Sequence, residues 1–288
     1  MSRSNPYPRL SPARREDRIL VVAPHVDDEA IAAGGYVFDA ISNGAEVYVV
    51  YLTAGDCARF SAQLMHKTLE PTASNYLSVG RARIAEAHAA MKLLGVPANH
   101  LFVLGYPDRG LRAMVDNPDA IVRSSGTRAH EVPYDDALSP GSQYKIENAI
   151  SDLKQVIELT RPTTVVAPVP FDQHPDHAAT AEIVDFALDD LQWRPARLGY
   201  LVHSRRMKAL VSTPRRALLP PTRMKGFSWA TYPLSARVQQ IKSDVLMTYK
   251  SQKPYMFLLR NAFVRRNELF FVYPTAAEER PAQVLLAR

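Results

Sequence analysis

The chain has one cysteine, Cys57, in 288 residues, so no internal disulfide can form and no thiolate knot can hold a zinc ion. Any metal must be held by His, Asp or Glu. No run of about eighteen uninterrupted apolar residues occurs, and the Pro- and Arg-rich start, Met1 to Arg18, lacks the apolar core of a signal peptide. The expectation is a soluble, cytoplasmic protein. No Gly-x-Gly-x-x-Gly follows the first apolar run, because Gly34-Gly35 falls later, within a helical pattern; a dinucleotide role is disfavoured.

What is present is ordinary globular composition, 47% hydrophobic and 22% charged, at a length one α/β domain can fill. Lys and Arg (35) exceed Asp and Glu (29), for a net charge of +6. Seven basic residues and no acidic one lie between Arg205 and Lys225. Such a run suits an anionic partner, a nucleotide-sugar, a lipid-linked sugar or a bilayer surface, and reads equally well as a solvated loop. It lacks the interleaved aromatics that stack on bases, which argues against nucleic acid.

Arg18 to Pro24 (RILVVAP) has the β-branched, apolar character of a strand buried on both faces. Apolar side chains then recur at helical spacing from Glu29 to Asn43, with Gly44 as the stop. Glu46 to Thr53 is a second buried strand, Arg81 to Leu94 an amphipathic helix closed by Gly95 and Pro97, and Leu101 to Leu104 a third strand. The rhythm repeats with a helix over Ile146 to Leu159, a strand at Thr163 to Val169 and a helix over Ala178 to Leu191. Right-handed crossovers then give a Rossmann-like, doubly wound, mostly parallel sheet with helices on both faces, in three layers. Past Pro195 the pattern weakens to a strand at Leu198 to His203, a Pro- and Arg-rich stretch, a helix near Ser235 to Tyr249 and the apolar ending Glu268 to Tyr273. Residues 1–17 read as a basic arm, and 18–288 as one domain with extra C-terminal elements.

Ligands of an open parallel sheet bind beyond the carboxyl ends of its strands. After the first strand comes Pro24-His25-Val26-Asp27-Asp28-Glu29, and after the fourth Asp172-Gln173-His174-Pro175-Asp176-His177. A zinc ion with a reactive water needs imidazole and carboxylate ligands and an open position. His25 and Asp28, three apart on a turn entering a helix, can face one way, and His177 can complete the set. Asp27 then stands beside the metal without ligating it, and His174 opposite. The bland reading makes these aspartates helix caps, which serves for any one of them. For all of them it would bury several ionisable groups together at a cost of about several kcal/mol for each unpaired charge.

The chain resembles the LmbE-like, or PIG-L-type, metal-dependent deacetylases of N-acetylglucosamine conjugates. His25-Val26-Asp27-Asp28-Glu29 is similar to their first motif, departing only where Val26 replaces a proline, and His174-Pro175-Asp176-His177 is similar to their second. Arg83 with Glu86, Gly105 to Asp108, Ser251-Gln252 and Glu268 to Phe270 resemble lesser signatures. The resemblance implies that His25, Asp28 and His177 bind Zn2+, exchangeable with Fe2+ or another divalent ion. It implies Asp27 as general base, His174, oriented by Asp176, as the charged imidazole that stabilises an oxyanion, and Arg83 and Asp108 as partners of sugar hydroxyls. The implied reaction removes an acyl group, acetyl first among them, from an amino-sugar conjugate. A raised pKa for a carboxylate-held His174 would suit that role.

Two rival readings are a divalent-metal phosphoesterase, for which Asp56 is the one extra carboxylate candidate, and a non-catalytic sugar- or nucleotide-binding relative. A ferrous oxygenase with two His and one carboxylate fits the ligands and not the βαβ rhythm. Glu29 reads equally as a partner of a ligand and as an acid at a helix start. His66, His88, His100, His130 and His203 are set aside as ligands, and Cys57 as a nucleophile. The loop from Leu111 to Gly141 reads as a wall of the substrate pocket or as a disordered flap.

Overall fold

A computed structural model describes residues 6–204 and 216–274. Seven strands, β1 (Arg18–Ala23), β2 (Glu46–Thr53), β3 (Leu101–Tyr106), β4 (Thr164–Pro168), β5 (Ala196–Tyr200), β6 (Trp229–Pro233) and β7 (Asn267–Val272), form one sheet in the order β3-β2-β1-β4-β5-β7-β6. The first five are parallel. Ile19 to Ala23 are all fully buried, as a strand flanked on both sides and covered on both faces requires.

The chain adds β2 and β3 on one side of β1, then returns to add β4 on the other. That reversal puts the connecting helices on opposite faces. One group comprises α1 (Asp28–Ser42), α3 (Ala73–Leu94), α7 (Ala236–Leu246) and α8 (Lys253–Phe263); the other, α4 (Leu111–Asp116), α5 (Ile146–Thr160) and α6 (Pro175–Asp190). A short α2 (Arg59–His66) packs on α3. The three-layer, mostly parallel α/β architecture is as expected, with strand and helix ends displaced by a few residues.

The differences have local causes. Helix α3 begins eight residues before the expected Arg81, because Thr72 and Asn75 cap each other reciprocally, with Asn in the place usually filled by Glu or Gln. Gly80 does not interrupt it; a Cβ there would lie 2.1 Å from the Tyr134 hydroxyl, so the helix needs that glycine to pass the loop. Strand β6 lies where a Pro- and Arg-rich stretch was expected, and β7 runs antiparallel to both β5 and β6. The stretch before β1 is no free arm where it is described: Leu10 N–H donates to Thr231 O and Thr231 N–H to Pro8 O, so it follows the β6 edge. The 111–141 segment is packed, with α4 at its start and Val132 and Tyr134 buried. Residues 205–215 of the basic run lie outside the described residues.

Candidate active site

Strand order reverses between β1 and β4, and the turns after both strands open into one cleft of about 560 Å³. His25, Asp27, Asp28, Arg83, Asp108, His174 and His203 all reach it.

Asp28 stands between His25 and His177. Asp28 Oδ2 lies 3.2 Å from His25 Nδ1 and 3.1 Å from His177 Nε2. His177 is fully buried, and neither ring nitrogen has an aligned hydrogen-bond partner despite these short separations. His25 Nδ1, by contrast, is within hydrogen-bond geometry of Asp28 Oδ2. Imidazole and carboxylate are donor types that zinc accepts. Ligand atoms of His25, His174 and His177 lie within 4.8 Å of one another, and so do those of Asp28, His177 and His203. The two sets meet at His177. Burial alone would lower the His177 pKa, but Asp28 and Asp172 outweigh it and raise it to about 9. Burial likewise opposes ionisation of Asp28, and His177 and His25 reverse this, holding it well below the carboxylate range.

Asp27 settles the question of capping for itself. It occupies the N-cap position of α1, yet its side chain accepts no capping hydrogen bond. Its backbone has φ 125°, a region that disfavours side chains. The carboxylate turns instead to Arg83, whose Nη2 donates to Asp27 Oδ2 at 3.0 Å and to Val26 O, while Nη1 donates to Gly55 O at 2.6 Å. Burial raises the Asp27 pKa to about 7, with Arg83 opposing and Asp28 adding to the rise. The resemblance gave Arg83 to sugar hydroxyls; in the structure it lines the cleft, is 5% exposed and is paired with Asp27.

The pairing of His174 with the Asp176 carboxylate is not found. Asp176 Oδ2 accepts from Arg109 N–H at 2.6 Å and faces His25 Nε2 at 3.1 Å, while Oδ1 accepts from Leu111 N–H. His174 Nδ1 is an acceptor from the Asp176 backbone N–H at 3.2 Å, because His174 itself is the N-cap of α6. A raised pKa is also not found: burial and the neighbouring His25 and His177 lower it to about 4. Asp108 lies at the His25 edge of the cleft, its Oδ1 3.3 Å from His25 Nε2 and its Oδ2 accepting from Cys57 N–H at 2.7 Å. Burial opposes its ionisation, and His25 and Arg83 lower its pKa to about 2.

Two residues gain roles that the sequence did not give them. Strand β5 ends at Tyr200, so His203 lies beyond a strand end like the others, its ring centroid 4.7 Å from that of His177. Placing the strand out to His203 hid that signal. Asp172 lies 3.3 Å from His177 Nδ1 and accepts from the N–H groups of His174, Val202 and His203. It orients the far side of a candidate ligand.

The family model described as PIG-L, GlcNAc-PI de-N-acetylase, matches residues 20–188. The chain belongs to this family. A relative in Mycobacterium sp. (strain KMS), a 1D-myo-inositol 2-acetamido-2-deoxy-alpha-D-glucopyranoside deacetylase, is 30% identical over 195 residues, 65% of this chain and 55% of its own. The chain thus spans about half the length of such relatives. Two solved structures share the fold. The A40926 pseudoaglycone deacetylase aligns at TM-score 0.57 and 19% identity, covering 89% of this chain and 96% of its own. The 4-carboxy-2-hydroxymuconate hydratase of Pseudomonas putida KT2440 aligns at 0.53 and 18%, with the same coverage. The fold therefore carries more than one chemistry, and the site must decide.

In this PIG-L chain Glu29 is fully buried, receives the Tyr249 hydroxyl and accepts from Asp27 N–H at 3.1 Å. It fastens the motif to the C-terminal part of the chain and is no mere dipole complement.

Proposed function

We propose that the chain is a divalent-metal-dependent amidase that removes acetyl from the nitrogen of an N-acetylglucosamine-type conjugate. The observation that carries this is the division of labour within one turn: Asp28 joins His25 and His177, while Asp27 beside it is turned away from capping and held in the cleft by Arg83. The names of relatives that act on GlcNAc-inositol and on a glycopeptide pseudoaglycone support the substrate class.

His25, Asp28 and His177 would hold the ion, zinc by its donor preference and exchangeable with ferrous iron, with His203 adjacent. When bound, such an ion polarises an amide carbonyl and makes a hydroxide available near neutral pH. Asp27 takes the proton from the attacking water, and Arg83 fixes the carboxylate that receives it. His174, whose Nδ1 accepts from backbone, carries the single proton of its neutral ring on Nε2 and offers it as a hydrogen bond to the developing oxyanion, while Asp27 passes the proton it took from water to the departing amine. Asp108 and Arg109 line the cleft where sugar hydroxyls would sit.

The test is acetate release, with appearance of a primary amine, from N-acetylglucosamine conjugates by chelator-stripped and zinc-restored protein. Metal-dependent release is the expected result. Bound zinc with no release from any member, and phosphate release from esters instead, would replace this reading with the phosphoesterase one.

A further inference from the structure

Of the four imidazoles around the cleft, His177 and His203 have no aligned hydrogen bond to the ring. His25 is engaged at both nitrogens, Nδ1 by Asp28 Oδ2 at 3.2 Å and Nε2 by Asp176 Oδ2 at 3.1 Å, and His174 Nδ1 accepts from backbone at 3.2 Å. The fully buried His177 has no aligned partner at either nitrogen. His203 is half-buried and lines the cleft, and among the described residues its hydrogen bonds are those of its backbone. Each of these two rings, when neutral, keeps an uncommitted lone pair.

Position and tether set His203 apart from a passing surface histidine. Strand β5 ends at Tyr200 and pairs with β4, so the turn after it lies beside the turn that carries His174 and His177. The two turns are stitched together: Asp172 Oδ2 accepts from the N–H groups of Val202 and His203 at 2.9 and 3.0 Å, and Gln173 N–H donates to His203 O at 3.1 Å. The same Asp172 Oδ2 lies 3.3 Å from His177 Nδ1, so one carboxylate positions both histidines. As a result a ring nitrogen of His203, one of His177 and a carboxylate oxygen of Asp28 lie within 4.8 Å of one another. Zinc bonds to nitrogen and oxygen run about 2.0–2.2 Å, so each atom would close by less than about an ångström to share one ion.

We infer that His203 is a further ligand of the metal, beside His25, Asp28 and His177. This rests on the metal-dependent reading of the site. It draws donors from the ends of three strands, β1, β4 and β5, and makes a set of three imidazoles and one carboxylate that retains its ion more firmly than three donors would and leaves water a fifth position.

The experiment titrates the chelator-stripped full chain with Co2+, for the wild type and for His203→Ala, reading the visible d–d spectrum and, by competition with a chromophoric chelator, the affinity. The expected result is an affinity at least about 100-fold lower in the variant, at or beyond the upper end of what loss of a supporting residue costs, together with a changed spectrum. Added imidazole, able to fill the vacated space, should return both toward the wild type. His203→Asp, which puts back an oxygen donor, should bind Co2+ more tightly than His203→Ala. A spectrum that His203→Ala leaves unchanged, or a loss of affinity that neither imidazole nor His203→Asp relieves, would confine His203 to the wall of the cleft and overturn the inference. Cobalt binding as expected, with no acetate released from any N-acetylglucosamine conjugate by the zinc-loaded wild type, would sink the deacetylase reading and leave the ligand assignment standing.

Discussion

An aspartate at an N-cap that declines to cap, with a positive φ and an arginine on its carboxylate, is held for another purpose. Asp27→Asn keeps the shape and removes the proton acceptor, so turnover should fall by roughly 10²- to 10⁴-fold, with metal content by elemental analysis unchanged. Loss of metal from that variant would move Asp27 into the ligand set. Asp172→Asn tests the support of His177. Metal affinity, read by competition with a chromophoric chelator, should fall about 10- to 100-fold, and unchanged affinity would confine Asp172 to its three backbone donors. Cys57 lies within the cleft and is no nucleophile at neutral pH: burial, then Asp108 and Asp56, raise its thiol to about 11. The folded chain therefore favours the protonated thiol, a contribution complete below the ordinary value of 9.0 and declining as pH rises toward 11. Alkylation of Cys57 by iodoacetamide at neutral pH should be at least tenfold slower in the native chain than in urea; equal rates would refute the shift.

Among the elements, α1 carries the first motif and is clamped from outside its own hydrogen-bond ladder. Glu268 of β7 accepts from the Gly35 and Tyr36 N–H groups, both at 2.8 Å, and is paired with the buried Lys242 of α7. The approach exists because Gly35 has no side chain; a Cβ would meet Leu234 Cδ2 at 2.6 Å and Glu268 Oε1 at 3.2 Å. Its neighbour Gly34 would meet only Lys242 Cγ at 3.7 Å, an ordinary contact. The two glycines should therefore respond oppositely to alanine. Gly35→Ala should destabilise by about 1–3 kcal/mol through overpacking, and Gly34→Ala should be neutral or stabilise by up to about 1 kcal/mol through helix propensity. Urea titrations monitored by circular dichroism would distinguish them, and equal effects would count against the clamp.

Taken whole, the molecule is one sheet whose last strand to be made, β7, is not at its edge. It lies between β5 and β6 and brings Glu268 under α1, while Tyr249, just after α7, reaches Glu29 in the first motif. The C-terminal part thus shares the core on which the active-site turn rests. A chain ending at residue 266 should lose cooperative thermal unfolding altogether, since β6 would be left without a partner in the sheet and the α1 clamp would be gone. A sharp transition in that truncated chain would show that the C-terminal elements form an accessory layer.

The alternation of buried β-branched runs with amphipathic helices determined the α/β class, because period and flanking glycines are local properties that any α/β context preserves. The two strand-end motifs were legible for the same reason: His25, Asp28 and His177 belong to short, chemically distinctive turns, and topology alone brings the ends of β1 and β4 together. The antiparallel insertion of β7 was not legible, since pairing between residues so distant in sequence leaves no periodic trace. Nor were the partners of the charged groups. Arg83 on Asp27, the Asp176 carboxylate on the Arg109 amide and not on His174, and Asp172 behind His177 depend on where separate loops meet. His203 joined the cluster only because β5 stops at Tyr200. Sequence patterning selects residue types and the faces they occupy, whereas the direction of a buried side chain, and hence its charge state, is decided by which backbone donors and opposite charges the assembled core brings within reach.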